Sequence, residues 1–146
     1  MNEIAKSSVK ALSRRQIGKG DCVMFDIDDT LWRPRDNTLI QEMLDLLYTA
    51  RMLGYYIVVI TARPSTHDNQ RWTVSQLHQM GVVPDHLAFC PPEVKDDTKD
   101  AFSSSKKLRF ILSVGDQWTD LGRSQWWLKL PDHTDSKIYT NIPKSN

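Results

Sequence analysis

The chain has 146 residues, of which 40% are hydrophobic and 25% are charged, and its formal net charge is +1. This length fits one domain, and the composition excludes collagen-like and disordered chains. No stretch reaches the ~18 apolar residues of a membrane span, and the amino terminus lacks the apolar centre of a secretory signal. We therefore expect a soluble, cytoplasmic protein without a membrane partner.

The charge is unevenly spread along the chain. Residues 1–20 hold five Lys or Arg residues against one acidic residue, and they predict a basic arm or a helix packed on the sheet. One domain is expected over residues 21–140, followed by a tail over residues 141–146. Cys22 and Cys90 are too few for a disulfide framework, so we expect both to be reduced.

Short apolar runs alternate with helical stretches from residue 22 onward. Residues 22–27 and 56–61 are continuous apolar runs, which are typical of strands buried on both faces of a parallel sheet. Between them, residues 38–53 carry apolar side chains at helical spacing, and Gly54 is a typical helix stop. These segments predict a β-α-β unit.

The same alternation continues to the end of the apolar pattern. Ser65 or Thr66 can cap a helix that ends at Gly81, and Pro91-Pro92 breaks the chain later on. The further predicted segments are a strand at 87–90, a helix at about 98–108, and strands at 110–116 and 126–130. The sequence therefore predicts an α/β fold with a doubly wound, Rossmann-like, mainly parallel five-stranded sheet.

Carboxylates gather where two of these strands end. The ligand site of an open α/β sheet lies beyond the carboxyl ends of its strands. Asp26 and Asp28 follow the first strand, Asp116 follows the fourth, and Asp120 lies behind them. Such crowding is tolerable only around a cation, and oxygen ligands favour Mg²⁺ over soft metals. The pattern predicts a magnesium site at this edge.

Three motifs in chain order resemble those of the haloacid dehalogenase (HAD) superfamily. DIDDT is similar to its DxDxT nucleophile motif, VVITAR to its second motif, and SVGDQWTD to its acidic GDxxxD motif. Within the superfamily, GDQWTDL followed by KLP resembles the acid-phosphatase-like branch. DDTLWRP resembles the small magnesium-dependent phosphatases, and TARP with GVVPDHL resembles polynucleotide 3′-phosphatase domains. The resemblance covers residues 21 to about 130 and implies an HAD-like fold.

The resemblance also implies catalytic roles. Asp26 would be the nucleophile that forms an aspartyl-phosphate, and Asp28 would protonate the leaving oxygen and then act as base. Thr61 would donate a hydrogen bond to a phosphate oxygen. The Asp26 carboxylate, the Asp28 backbone carbonyl and Asp116 would hold Mg²⁺, while Asp120 belongs to the metal site or acts as a brace.

Members of the superfamily also use a lysine, usually at the start of the helix before the last acidic motif. We predict that Lys99 has this catalytic, phosphate-binding role, because it lies at the predicted helix start. Lys95 and Lys106 are its rivals. Lys95 lies in the preceding loop of this prediction, and Lys106 lies two turns further along the helix.

The chain has no room for a large cap domain over the site. Residues 32–37 and 91–97, which occupy the positions of possible cap insertions, are both short. We therefore expect a capless protein with an open cleft. Trp32 and Arg33 could stack a base and contact phosphate, and Arg63 could bind substrate beside the second motif. A solvated loop is the alternative interpretation of Trp32 and Arg33.

These features predict a Mg²⁺-dependent phosphomonoesterase that acts through an aspartyl-phosphate. The expected substrate is a small phosphomonoester or a phosphate group on a nucleic acid or a protein. One alternative is a polynucleotide 3′-phosphatase acting on nucleic-acid ends. A second alternative is a catalytically silent protein of the same fold that binds nucleic acid through its basic amino-terminal segment.

Overall fold

A computed structural model describes residues 2–144, in which helices cover both faces of a mainly parallel sheet. Two single-turn 3₁₀ helices, Pro92–Val94 and Trp118–Asp120, lie beside the sheet. The other elements, in chain order, are α1 (Glu3–Arg14), β1 (Asp21–Phe25), β2 (Trp32–Arg33), β3 (Thr38–Leu39), α2 (Gln41–Leu53), β4 (Tyr56–Thr61), α3 (His67–Gln79), β5 (His86–Phe89), α4 (Lys95–Ser105), β6 (Arg109–Gly115), β7 (Trp126–Lys129) and β8 (Tyr139–Thr140).

The strand order of the main sheet is β5-β4-β1-β6-β7-β8. The chain runs outward from β1 through β4 to β5, and then returns to the other side of β1 to form β6 and β7. All neighbouring pairs are parallel except β7 and β8. The direction of winding therefore reverses between β1 and β6, and this switch point is where open α/β sheets place their ligands.

Strand β1 is buried along its whole length because both faces of the sheet are covered. Val23 and Phe25 pack into the larger core with α1 and α2, whereas Cys22 and Met24 pack on the opposite face beside Phe102 of α4. The continuous apolar run of the sequence reflects this two-sided burial. The predicted α/β class and parallel sheet are confirmed.

The prediction of five strands is wrong by one, because β8 pairs with β7 as a sixth, antiparallel strand. Two residues are too short a strand to show any periodicity in sequence. Just beyond it, Ile142 is only 7% exposed and lies in the larger core, within the segment predicted as a tail. Residues 145 and 146 of that tail lie outside the described residues.

A small antiparallel hairpin, β2–β3, follows β1 and was not predicted. Leu39 was assigned to the following helix, but it lies in β3, and α2 begins only at Gln41. The turn is made possible by Asn37, whose φ of 55° lies in the left-handed region that Asn tolerates better than most residues.

Among the described residues, none of the helices combines the length and the hydropathy that a membrane span requires.

Helix α4 begins at Lys95, three residues earlier than predicted. From the sequence alone, Pro91-Pro92 predicts a break in the chain. In the structure Pro92 instead opens a 3₁₀ turn that leads directly into the helix. Proline is well suited to the first turn of a helix, where its missing N–H has no partner to lose. The shift changes which lysine lies at the helix start.

Helix α1 is joined to the sheet by a buried carboxylate at the start of β1. Asp21 Oδ2 accepts hydrogen bonds from Arg15 Nη1 at 2.8 Å and from the Gly18 backbone N–H at 2.7 Å. Asp21 Oδ1 accepts a third from Arg109 Nε at 2.9 Å. Burial opposes the charge, but these donors outweigh it and lower the pKa of Asp21 below its ordinary value of 3.8.

We expect Asp21→Asn to lower the free energy of unfolding by about 2 kcal/mol at pH 7, because it removes the ion pairs with Arg15 and Arg109 at a buried site. A carboxylate with a lowered folded pKa stabilises the protein above its unfolded pKa and loses that contribution as the pH falls through the folded value. The difference between parent and variant should therefore shrink below pH ~4. Urea unfolding at several pH values measures it.

The matched control is Asp100→Asn, which removes an exposed pair between Asp100 and Arg123. Its cost should be much smaller than that of Asp21→Asn at neutral pH, because an exposed pair gains little in water. Equal losses in the two variants would contradict the structural role of Asp21.

Candidate active site

The site lies at the switch point, where β1 and β6 end side by side. Asp26 follows β1, and its backbone N–H donates to the Val114 carbonyl of β6 at 3.1 Å. Asp116 follows β6 directly. Both residues are only 7% exposed, so the two parallel strands place a pair of acidic groups in a poorly hydrated position.

A third carboxylate completes the cluster. Asp26, Asp116 and Asp120 each offer an oxygen, and these three oxygens lie within 4.8 Å of one another. Burial and the negative charge of Asp120 raise the pKa of Asp26 well above its ordinary value, and burial raises that of Asp116. Buried carboxylates at this spacing fit a hard divalent cation, which would offset their repulsion.

The position of Asp120 depends on a glycine. A Cβ added at Gly115 would lie 2.2 Å from Asp120 Oδ2, so a side chain at 115 would displace this carboxylate. Asp120 Oδ2 accepts the Gln117 backbone N–H at 3.1 Å, which closes the 3₁₀ turn around it. Asp120 is therefore held in a fixed position beside Asp26 and Asp116.

Lys95 is the cation of the cluster. Its Nζ donates to Asp26 Oδ1 at 3.2 Å, to Asp120 Oδ1 and to the Ile60 carbonyl at 3.3 Å. Burial opposes its charge, but Asp26 and Asp120 outweigh burial and raise the pKa of Lys95. The ammonium therefore stays charged beside the predicted nucleophile.

The structure does not bring Lys99 to Asp26, so our choice of lysine needs correction. Lys99 Nζ donates to Ser113 Oγ at 3.0 Å and to the Asp120 and Gly122 carbonyls, each at 2.6 Å. Burial lowers the pKa of Lys99 to about 8. Lys99 lies one helical turn after Lys95, and its hydrogen bonds fix the backbone around Asp120. Lys106 lies beyond the end of α4.

The Asp28 carboxylate is not part of the three-carboxylate cluster, contrary to the expected crowding of Asp26, Asp28 and Asp116. It pairs with the Arg63 guanidinium, with Nη2 to Oδ1 at 2.8 Å and Nε to Oδ2 at 3.0 Å. Trp32 Nε1 donates to Oδ1 at 3.0 Å. Burial opposes the charge, but Arg63 and Trp32 outweigh it and lower the pKa of Asp28.

Thr61 ends β4 and is fully buried. Its Oγ1 accepts the Arg63 backbone N–H at 3.2 Å, which leaves its hydroxyl proton to donate elsewhere. This geometry is compatible with the predicted hydrogen bond to phosphate.

The side chains of Trp32 and Arg33, the other predicted substrate contacts, lie in different surroundings. Trp32 turns toward Asp28, as described above. Arg33 is exposed and lines a different cavity of about 230 Å³ together with Asp29 and Ile138. The structure therefore leaves Trp32 beside the predicted acid/base and does not bring Arg33 to the carboxylate cluster.

Arg63 has two partners on α3 that the sequence does not predict. Trp72 lies under the guanidinium, with 4.6 Å between the Arg63 carbon and the ring centroid, and Thr73 Oγ1 accepts from Arg63 Nη1 at 3.0 Å. Neither residue belongs to a motif. Only their place on the helix that follows the second motif could have indicated them.

Comparison with known protein families gave one informative match. The model of the HAD superfamily, subfamily IIIB (acid phosphatase), matches residues 32–137. This segment contains Thr61, Lys95 and Asp116, whereas Asp26 and Asp28 immediately precede it. A search of curated proteins found no match.

Proposed function

Since the chain belongs to subfamily IIIB of the HAD superfamily, the acid phosphatases, and is a phosphatase, we propose that it hydrolyses phosphomonoesters through an aspartyl-phosphate on Asp26 with the help of Mg²⁺. The observation that carries this proposal is the buried group at the switch point, where Asp26 contacts Lys95 and lies beside Asp116 and Asp120. A nucleophile, a cation and further metal ligands are thereby gathered at one strand edge.

In the first step, an oxygen of the Asp26 carboxylate attacks phosphorus, and the bond from phosphorus to the leaving oxygen breaks. Asp28 must be protonated for this step, although Arg63 and Trp32 favour its ionised form in the substrate-free protein. The proton passes to the leaving oxygen, so an alcohol leaves. Lys95 and the Thr61 hydroxyl would stabilise the negative charge on the phosphoryl oxygens. A Mg²⁺ ion held by Asp26 and Asp116 would supply further charge neutralisation.

In the second step, water attacks phosphorus while Asp28 accepts its proton. The bond between phosphorus and the Asp26 oxygen breaks, phosphate leaves, and the free carboxylate is restored. We assign to Lys95 the role predicted for Lys99, because the Lys95 ammonium contacts Asp26. The Asp28 backbone carbonyl remains our prediction for a further Mg²⁺ ligand.

The substrate class is part of the proposal. Only a two-stranded hairpin and a single 3₁₀ turn occupy the two cap positions, so the described site is open to a bulky phosphate ester. This supports 3′-phosphorylated nucleic-acid ends as a second candidate substrate.

Cytoplasmic placement also remains a proposal, supported by the free thiols of Cys22 and Cys90.

Removal of divalent metal should abolish activity. We expect hydrolysis of p-nitrophenyl phosphate, nucleoside monophosphates and a 3′-phosphorylated oligonucleotide to fall by about 10³-fold or more in excess EDTA, because the clustered carboxylates then repel the phosphate. Mg²⁺ should restore turnover. Ca²⁺ should not, since its looser shell of about 6–8 ligands misplaces the nucleophile. The release of inorganic phosphate is measured for each substrate under each metal condition.

Full activity in excess EDTA would overturn the metal-dependent mechanism. The oligonucleotide arm separates the candidates: a kcat/KM at least about tenfold above that of the other substrates, or 1.4 kcal/mol, would favour a 3′-phosphatase. Binding of an oligonucleotide without turnover of any substrate would favour the silent nucleic-acid-binding alternative.

A further inference from the structure

The guanidinium of Arg63 is held by contacts with Asp28, Thr73 and Trp72. Its side chain is 7% exposed; two of its nitrogens contact Asp28, a third contacts Thr73, and its face lies on the Trp72 ring. We propose that Arg63 is a positioning residue, which fixes the Asp28 carboxyl for proton transfer, and that it is not a phosphate ligand. This inference rests on the proposed function.

The pairing geometry favours a positioning role. Arginine presents five N–H donors in a rigid fork, and a bidentate pair with a carboxylate fixes both distance and orientation. Arg63 uses its Nε and one Nη2 proton on Asp28 and one Nη1 proton on Thr73. To bind phosphate, Arg63 would have to break its pair with Asp28 or use only its remaining Nη protons. The stacked Trp72 further limits rotation of the fork.

The contacts also determine which part of Asp28 can carry a proton. An ionised carboxylate has about four acceptor positions. Three are filled: Oδ1 accepts from Arg63 and from Trp32, and Oδ2 accepts from Arg63. Among the described residues no second donor contacts Oδ2. The remaining lone pair of Oδ2 is therefore the position from which Asp28 gives a proton to the leaving oxygen.

This arrangement predicts a specific kinetic signature. An ester with an acidic alcohol, such as an aryl phosphate, needs little protonation of its leaving oxygen, whereas an alkyl phosphate needs a well-placed acid. Loss of Arg63 should therefore slow alkyl phosphates much more than activated aryl phosphates. Loss of a phosphate ligand would slow all substrates alike and weaken binding of inorganic phosphate.

The test measures kcat/KM for a series of phosphate esters, from 2,4-dinitrophenyl phosphate to an alkyl phosphate, in the Mg²⁺-loaded enzyme. We expect Arg63→Gln to lose about 10²-fold on the alkyl ester and less than about threefold on the dinitrophenyl ester. Arg63→Lys should lose an intermediate amount, since it can restore one bond but not the bidentate pair. Inhibition by inorganic phosphate should be unchanged.

Two further variants keep the inference falsifiable. Arg71→Gln, an exposed arginine of the same helix, is the matched control and should behave as the parent. Trp72→Ala removes only the stacked ring and should give a weaker form of the same pattern if Arg63→Gln fails to fold. The double variant Asp28→Asn/Arg63→Gln should be no slower on the alkyl ester than Asp28→Asn alone, because both changes act through one group.

Equal losses across the series, together with weaker phosphate inhibition, would overturn the positioning role while leaving the proposed phosphatase intact. A parent enzyme that hydrolyses none of these esters with Mg²⁺ would overturn the proposed function and this inference with it.

Discussion

Asp26→Asn is expected to lower kcat/KM for every phosphate ester by about 10⁴-fold or more, because the amide keeps the shape of the side chain but cannot attack phosphorus. The fold should survive. Burial and the charge of Asp120 already raise the pKa of Asp26, which means that the ionised form is unfavourable in the metal-free protein. The melting temperature of the metal-free variant should therefore be no lower than that of the parent.

The control for this change is Asp29→Asn, the same chemical substitution three residues further along. Asp29 has a φ of 60° and lines the cavity beside Arg33, and Asn tolerates this left-handed conformation. We expect this variant to retain activity within about threefold of the parent, since a surface change of this kind leaves the reacting groups in place. Turnover by Asp26→Asn within tenfold of the parent would exclude Asp26 as the nucleophile.

Lys95→Met should lower kcat/KM by about 10²–10³-fold, which is the usual cost of removing one preorganised group that stabilises developing negative charge. Methionine keeps most of the buried volume of lysine, so the loss should come from the missing ammonium beside Asp26. The loss should be similar for aryl and alkyl esters, because Lys95 acts on the phosphoryl group and not on the leaving oxygen.

The matched variant is Lys99→Met on the same helix. It leaves the Asp120 and Gly122 carbonyls without their donor, so we expect the free energy of unfolding to fall by about 2 kcal/mol. Activity of the folded fraction should fall far less than in Lys95→Met. A larger loss of kcat/KM in Lys99→Met, measured at saturating Mg²⁺, would restore Lys99 as the phosphate-binding lysine.

The parallel strands at the site could be predicted because β1, β4 and β6 are continuous apolar runs, and polar motifs follow them. Two-sided burial leaves few other arrangements for such strands. The ends of parallel strands meet at one edge, so Asp26 and Asp116 could be brought together without a structure. The parallel α/β sheet was confirmed, although its sixth strand was too short to leave a pattern.

The choice of lysine could not be made in the same way. Lys95 and Lys99 are four residues apart, so helical periodicity places both on the same face of α4, and only the exact helix start separates their roles. That start depends on whether Pro92 breaks the chain or opens a turn. The proline is compatible with both, and the surrounding packing decides.

The pairing of Asp28 with Arg63 was beyond sequence reasoning for a different reason. The two residues are 35 positions apart and lie on loops after different strands, so no periodicity relates them. Arg63 was assigned to substrate because it follows a motif at the strand edge. In the structure its nearest anion is instead a carboxylate of the same site.

The contact between Asp26 and β6 makes the site depend on a late event in folding. The Asp26 backbone N–H is bound by Val114, and the strands β4 and β5 lie between these two residues in the chain. Pairing of β1 with β6 thus closes a loop of most of the domain, and its entropic cost is met only after local helices and earlier strand pairs have formed. A nascent or truncated chain that ends before β6 carries Asp26 and Lys95 without Asp116 and Asp120, so we expect catalytic competence only after β6 and the turn behind it have been added.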